Sequence, residues 1–348
     1  MLEALSGDAG LLAGVVAVAL IFGLLNGFHD GCNAVSTVIY TKALKPRTAI
    51  GLSAVFNFIA PLIVGVAVAE TIGGVIKAND ASAQLVIAAL LGACVWEVLT
   101  WLWAMPVSSS HALMGGLLGA GLVALGPGGI AWDKVILVFA ALFVSPFLGI
   151  FTGYLVMRLS RFFFTRRRMS MAKADRFYKH MQIISSSWVS FSHGSNDATK
   201  VMGIIVIFLA AREKLGVDDY LGAHDFALGL PLWVILASAA AMAVGTYLSV
   251  RSFRLIRTVG ERICELHPIN GFSAETGGAV IIQVASLLGL PVSTTHIVTS
   301  AVTGTGLASK LGGVSWKVFR AILLAWVVTL PFCAIVAAIF YYLLDLFM

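Results

Sequence analysis

Apolar runs recur along the whole chain, and a run of roughly 20 such residues is long enough to cross a bilayer as a helix. The pattern predicts spans at about residues 11–25, 49–75, 135–155, 183–209, 230–250 and 318–346. Two further blocks, about 85–125 and 272–307, are apolar but interrupted near the middle. The interruptions are near copies of each other: Pro106-Val107-Ser108-Ser109-Ser110-His111 and Pro291-Val292-Ser293-Thr294-Thr295-His296. Proline has no N–H to orphan in a first helical turn, and hydroxyls accept from the free donors behind it, so each motif reads as a helix start. Each block is expected to be two short spans or a re-entrant hairpin, leaving on the side it entered. Free N–H groups and the positive dipole end make such starts attractive to anions.

Composition removes the soluble classes. Of 348 residues, 59% are hydrophobic and 11% charged, and mean hydropathy is +0.95, whereas a soluble domain carries about 25% charged residues. The first run lacks a basic leader and passes straight into polar residues, so no cleaved signal is expected. Cys32, Cys94, Cys264 and Cys333 show no paired spacing and imply neither a zinc site nor a disulfide framework. The +6 net charge is better read loop by loop, as a guide to sidedness, than as a sign of nucleic acid.

Lys42, Lys45 and Arg47 place the first loop in the cytoplasm and the N-terminus outside. Arg158, Arg161, Arg166, Arg167, Arg168, Lys173, Arg176 and Lys179, opposed by Asp175, mark a second cytoplasmic stretch, suited to anionic headgroups. Glu213, Asp218, Asp219 and Asp225 suit an external loop, and Arg251, Arg254, Arg257 and Arg262 a third cytoplasmic one. Each half then reads span, span, interrupted block, span, with the first half entering from outside and the second from inside. The expected fold is an all-α polytopic membrane protein of two inverted repeats, 1–157 and 181–348, joined by a basic cytoplasmic loop, 158–180. The C-terminus falls outside, as the N-terminus does. Such repeats characterise secondary transporters, whose substrates bind near the midplane between broken helices.

The first half carries Asn26-Gly27-Phe28-His29-Asp30-Gly31-Cys32-Asn33 and the second His193-Gly194-Ser195-Asn196-Asp197-Ala198-Thr199-Lys200. Aligned on the aspartates, Gly27 meets Gly194, His29 meets Asn196 and Asn33 meets Lys200. A carboxylate within a span costs several kcal/mol unless it is paired, protonated or cation-bound. Asp30 and Asp197 are therefore candidates for a coupling cation, Na⁺ or H⁺; the competing reading is a structural pair with Lys200. The neighbouring glycines would let the helices unwind and expose carbonyls to Na⁺. Lys200 either contacts an anionic substrate or compensates the aspartates. Glu97 and Glu275, which are not repeat-equivalent, offer proton or cation sites, with an interfacial structural role as the alternative. His111 and His296 fit a proton relay or, more simply, histidines satisfied at a helix start. Asn57 and Gln283 are expected to hydrogen-bond between helices.

The run Gly27 to Thr41, and His193-Gly194-Ser195-Asn196-Asp197 with Lys200, resemble the two signatures of the inorganic phosphate transporter (PiT) family, bacterial branch. Pro106 to Gly121 and Gly271 to Gly306 resemble its two re-entrant regions. Gly31-Cys32 departs from the Thr-Ala common there but leaves the polar positions intact. The resemblance implies symport of inorganic phosphate with Na⁺ or H⁺ across the cell membrane, no enzyme activity and no cofactor. On it, Ser108, Ser109, Ser110, Ser293, Thr294 and Thr295 would hold phosphate, with Asn33, Asn196 and Lys200 beside them. Asp30 and Asp197 would hold Na⁺ if sodium is the coupled ion. The expected partners are phosphate, the coupling ion and the lipid bilayer, with a homo-oligomer left open. The competing functions are transport of sulfate or another tetrahedral oxyanion, a passive anion channel, and an intramembrane Ser/His hydrolase.

Overall fold

The structure is a computed structural model that describes residues 2–77, 81–168, 170–224, 229–309 and 313–347, with side chains from residue 10 onward. Asp225 of the expected external loop lies outside the described residues. The helices in chain order are α1 (Leu2–Tyr40), α2 (Pro46–Val64), α3 (Ala67–Gly73), α4 (Ala83–Leu102), α5 (Ser109–Leu125), α6 (Trp132–Arg166) and α7 (Met171–Arg212). They are followed by α8 (Val217–Ala223), α9 (Leu232–Leu248), α10 (Phe253–Arg257), α11 (Pro268–Leu287), α12 (Thr294–Ala308) and α13 (Trp316–Phe347). Among the described residues there is no strand, and 7 helices (α1, α2, α4, α6, α7, α9 and α13) are long and apolar enough to cross a membrane. The chain is an all-α, multi-pass membrane protein.

Three expectations change. The span foreseen over 49–75 is cut at Gly65, whose φ of 91° ends α2 where a side-chain-bearing residue would be strained. The basic stretch 158–180 is mostly helix, since α6 runs to Arg166 and α7 begins at Met171. Nor do α1 and α7 unwind at their aspartates: both are continuous, over 39 and 42 residues. Their glycines serve packing instead. A Cβ on Gly27 would stand 2.2 Å from the Met242 carbonyl oxygen of α9, and one on Gly194 would stand 2.6 Å from the Asn57 backbone of α2. Absent side chains let these helices meet backbone to backbone, as small residues do between membrane helices.

The breaks fall at the prolines, between α4 and α5 and between α11 and α12. Ser108 and Ser293 cap the new helices, each side-chain oxygen accepting from the N–H three residues on, at His111 and His296. Packing is matched between the halves: α1 lies on α9 as α2 lies on α7, α5 on α13 as α12 on α6, and α4 on α1 as α11 on α7. Pro146 in α6 and Pro331 in α13 stand at the same spacing from Pro106 and Pro291. Along the seam where they touch, α1 and α7 run antiparallel. Thr41 near one end of α1 bonds Gln182 near the start of α7, while Gly23 meets Val201 much further along.

Candidate functional site

Asp30 and Asp197 face each other across that seam, 1% and 0% exposed. The two hairpin breaks close on them, one from each half. Ser109 Oγ donates to Asp30 Oδ2 at 2.8 Å, and its counterpart Thr294 Oγ1 donates to Asp197 Oδ2 at 3.0 Å. A second pair of bonds crosses between halves: Asn33 Nδ2 donates to Thr295 Oγ1 at 2.9 Å, and its counterpart Lys200 Nζ donates to Ser110 Oγ at 2.6 Å. One pattern is thus made twice, with the starts of α5 and α12 pointing at the same place. Beyond their hydroxyls these starts offer N–H groups that lack intrahelical acceptors, so a negatively charged guest is met from both sides.

The two carboxylates are differently provided for. Asp30 also accepts from Thr295 Oγ1 at 2.9 Å and lies 3.0 Å from His29 Nδ1. Asp197 lies 2.5 Å from Lys200 Nζ and 3.2 Å from His193 Nε2. Lys200 therefore compensates Asp197 while reaching the hairpins, where it also donates to the Val292 carbonyl oxygen at 2.8 Å. Asp30, His193 and Asp197 each offer an atom within 4.8 Å of the others. His193 Nδ1 is 3.0 Å from Asn57 Oδ1, and its Nε2, 3.2 Å from Asp197 Oδ2, has no hydrogen-bond partner among the described residues. The cluster offers a cation carboxylate and hydroxyl oxygens, the donor set of a hard ion, with the His193 imidazole beside them.

The remaining candidates sit differently. Asn196, the counterpart of His29, is turned to Ser286 Oγ at 3.0 Å and the Leu290 carbonyl oxygen at 3.1 Å, holding the end of α11 rather than the hydroxyl cluster. Glu275 is separate, accepting from Thr37 at 2.6 Å, Gln182 at 2.9 Å and Ser185 at 2.5 Å. Glu97 is buried, and neither of its carboxyl oxygens has a hydrogen-bond partner among the described residues. His111 fits the helix-start reading, with Nδ1 2.9 Å from Ser108 Oγ. His296 does not: among the described residues its ring nitrogens have no hydrogen-bond partner, and it lies between the rings of His111 and Trp326, at centroid distances of 4.6 and 3.6 Å. No carboxylate bonds His111 among the described residues, so the Ser108 contact lacks the third member of a nucleophilic triad. Asn57 and Gln283 bond across helices as expected, to Thr246 and Ser192.

His193 has no histidine counterpart in the first half, where Asn26 stands in its place when the halves are aligned on the aspartates. Its position one helical turn before Asp197 was the available signal. Thr37, Gln182 and Ser185 carried none, since nothing in their spacing points to Glu275.

The pattern of the phosphate transporter family matches the chain twice, over residues 26–179 and 164–337. The chain belongs to the phosphate transporter family. A probable low-affinity inorganic phosphate transporter of Rhizobium meliloti (strain 1021) is 40% identical over 337 residues, 97% of each chain. One of Bacillus subtilis (strain 168) is 37% identical over 335 residues, 95% of this chain and 96% of its own. The fold is that of a solved sodium-dependent phosphate transporter, with a TM-score of 0.83 at 23% identity, covering 97% of this chain and all of that one. Membership in this family makes the protein a transporter and not an enzyme.

Proposed function

We propose that the protein is a secondary active symporter, importing inorganic phosphate with Na⁺ or H⁺ by alternating access. Residues 1–157 and 181–348 act as inverted repeats joined by the cytoplasmic segment 158–180. The observation that supports this reading best is the double use of one pattern, in which equivalent hydroxyls of two hairpins bond equivalent aspartates on antiparallel helices.

That pattern also supplies a route to coupling. Ser109, Thr294 and Thr295, which would bind phosphate, donate their hydroxyl hydrogens to Asp30 and Asp197. A cation or proton taken up by the aspartates competes for the same carboxylate lone pairs, which frees the hydroxyls to turn toward an anion. It also cancels the negative charge that would repel that anion, and opposite charges at adjacent sites favour each other's binding. Ser108 and Ser293 are occupied in capping, so they hold the helix starts in place while Ser109, Ser110, Thr294 and Thr295 touch the substrate. Lys200 stays on Asp197 and lends its charge to the phosphate through Ser110.

Phosphate uptake into proteoliposomes under separately imposed Na⁺ and proton gradients tests the reading and identifies the ion. Asp30→Asn and Asp197→Asn are expected to abolish gradient-driven uptake while still inserting in the membrane. Full uptake by both variants, or uptake indifferent to both gradients, overturns the proposal. Stronger inhibition by unlabelled sulfate than by unlabelled phosphate would reassign the substrate.

A further inference from the structure

The turn that joins the two halves carries a feature that the transport cycle does not use. α6 is 35 residues long and α7 is 42, about 50 and 60 Å at 1.5 Å per residue, so both outreach a hydrocarbon core of roughly 30 Å. Their adjoining ends are bound together by Tyr178, whose hydroxyl donates to the Ser160 carbonyl oxygen at 2.8 Å, and by the stacked rings of Phe163 and Phe177, 6.0 Å apart. Beside this stack opens a cleft of about 460 Å³ lined by Phe163, Arg167, Arg168, Ser170, Lys173 and Phe177.

Among the described residues, three cations and no carboxylate line the cleft. Arg167 lies over the Phe163 ring at 5.4 Å, a cation–π contact that holds the guanidinium in place without neutralising it. The nearby acid, Asp175, is taken by Lys179 at 3.0 Å. The walls are exposed aromatic surface, with Phe163 at 40% and Phe177 at 38%. From Phe163, Leu159 and Leu155 continue one turn apart along the same face of α6, also exposed, toward the membrane-spanning part. A cationic mouth leading to an apolar stripe is complementary to a phosphate group with hydrocarbon attached. A free phosphate would gain the cations but leave the stripe uncovered, and exposed charges alone are screened by salt within about 10 Å.

We infer that this cleft is a binding site for an anionic glycerophospholipid, its phosphate among Arg167, Arg168 and Lys173 and its acyl chains along Leu159 and Leu155. The lipid pins the junction of the two halves to the cytoplasmic leaflet. The site stands independently of the transport reading and of the ion coupled to it.

Native mass spectrometry and thermal unfolding of the full-length protein test this, after reconstitution with phosphatidylcholine alone or mixed with phosphatidylglycerol. The wild type is expected to retain phosphatidylglycerol in preference to phosphatidylcholine and to unfold several degrees higher in its presence. The combined variant Arg167→Gln, Arg168→Gln, Lys173→Gln should unfold with the wild type in phosphatidylcholine, which shows that it folds. It should lose at least tenfold in retained phosphatidylglycerol, together with the thermal gain. Leu159→Ser tests the acyl stripe and should weaken retention without altering charge. Equal retention by the triple variant, or a thermal gain from millimolar inorganic phosphate in phosphatidylcholine that the triple variant loses, overturns the site. If the triple variant fails to fold, Lys173→Gln with Leu159→Ser is compared in its place, and unchanged retention there overturns it as well.

Discussion

At the scale of single residues, the strongest constraint is the cost of burying Asp197. Lys200 at 2.5 Å, Thr294 and His193 are what make a carboxylate tolerable there. Removing one partner of a buried ion pair costs about 3–5 kcal/mol because the other charge is left uncompensated, whereas removing both can be nearly neutral. Lys200→Met is therefore expected to lower the unfolding temperature sharply, and Lys200→Met with Asp197→Asn to recover most of it. Uptake should be absent from both, because the double variant restores packing and not the proposed cation site. Thermal unfolding alongside proteoliposome uptake checks this; a double variant no more stable than the single one would show that Lys200 works through Ser110 and Val292. Asp30 and Asp197 were legible in the sequence because a charge inside an apolar run is conspicuous. Their hydroxyl partners were not: Ser109 lies 79 positions from Asp30 and Thr294 lies 97 from Asp197, and no local pattern encodes such a contact.

At the scale of elements, the same amino acid carries different meanings. Glycine beside an intramembrane aspartate suggests an unwound helix, yet Gly27 and Gly194 lie in unbroken helices and exist for contact with α9 and α2. Composition cannot distinguish the two, since both require only a missing Cβ. The proline-hydroxyl motif was the better guide: Pro106 and Pro291 stand in the true breaks, two residues before the capping Ser108 and Ser293, whereas Pro146 and Pro331, with no such cap behind them, lie inside α6 and α13. Gly27→Ala should thus be strongly destabilising, by about 1–3 kcal/mol for an overpacked interior, as its Cβ would overlap the Met242 carbonyl at 2.2 Å. Gly51→Ala, where nothing lies within 4 Å, should be neutral or slightly stabilising by helix propensity. Unfolding midpoints of the two variants in detergent check the contrast. Equal midpoints would mean that α1 shifts freely on α9.

At the scale of the whole molecule, the proposed inversion draws support from three features: the loop charges, the matched packing of the halves, and the antiparallel run of α1 and α7. The loop charges predict a sidedness for it that labelling can read. The 4 native cysteines are all buried, so an introduced thiol reports against a quiet background. Lys45→Cys and Arg168→Cys lie on the basic side and Glu213→Cys on the acidic one, all at exposed positions. With a membrane-impermeant maleimide on intact cells, Glu213→Cys is expected to label, and Lys45→Cys and Arg168→Cys to label only after permeabilisation. The three sites discriminate because they fall after α1, α6 and α7. An even number of crossings in the first half would leave Arg168 on the same side as the N-terminus and opposite Lys45, whereas inversion requires Lys45 and Arg168 to share a side. Labelling of Arg168→Cys from outside would therefore break the proposed inversion, and with it the proposal that two hairpins reach one site from opposite faces of the membrane.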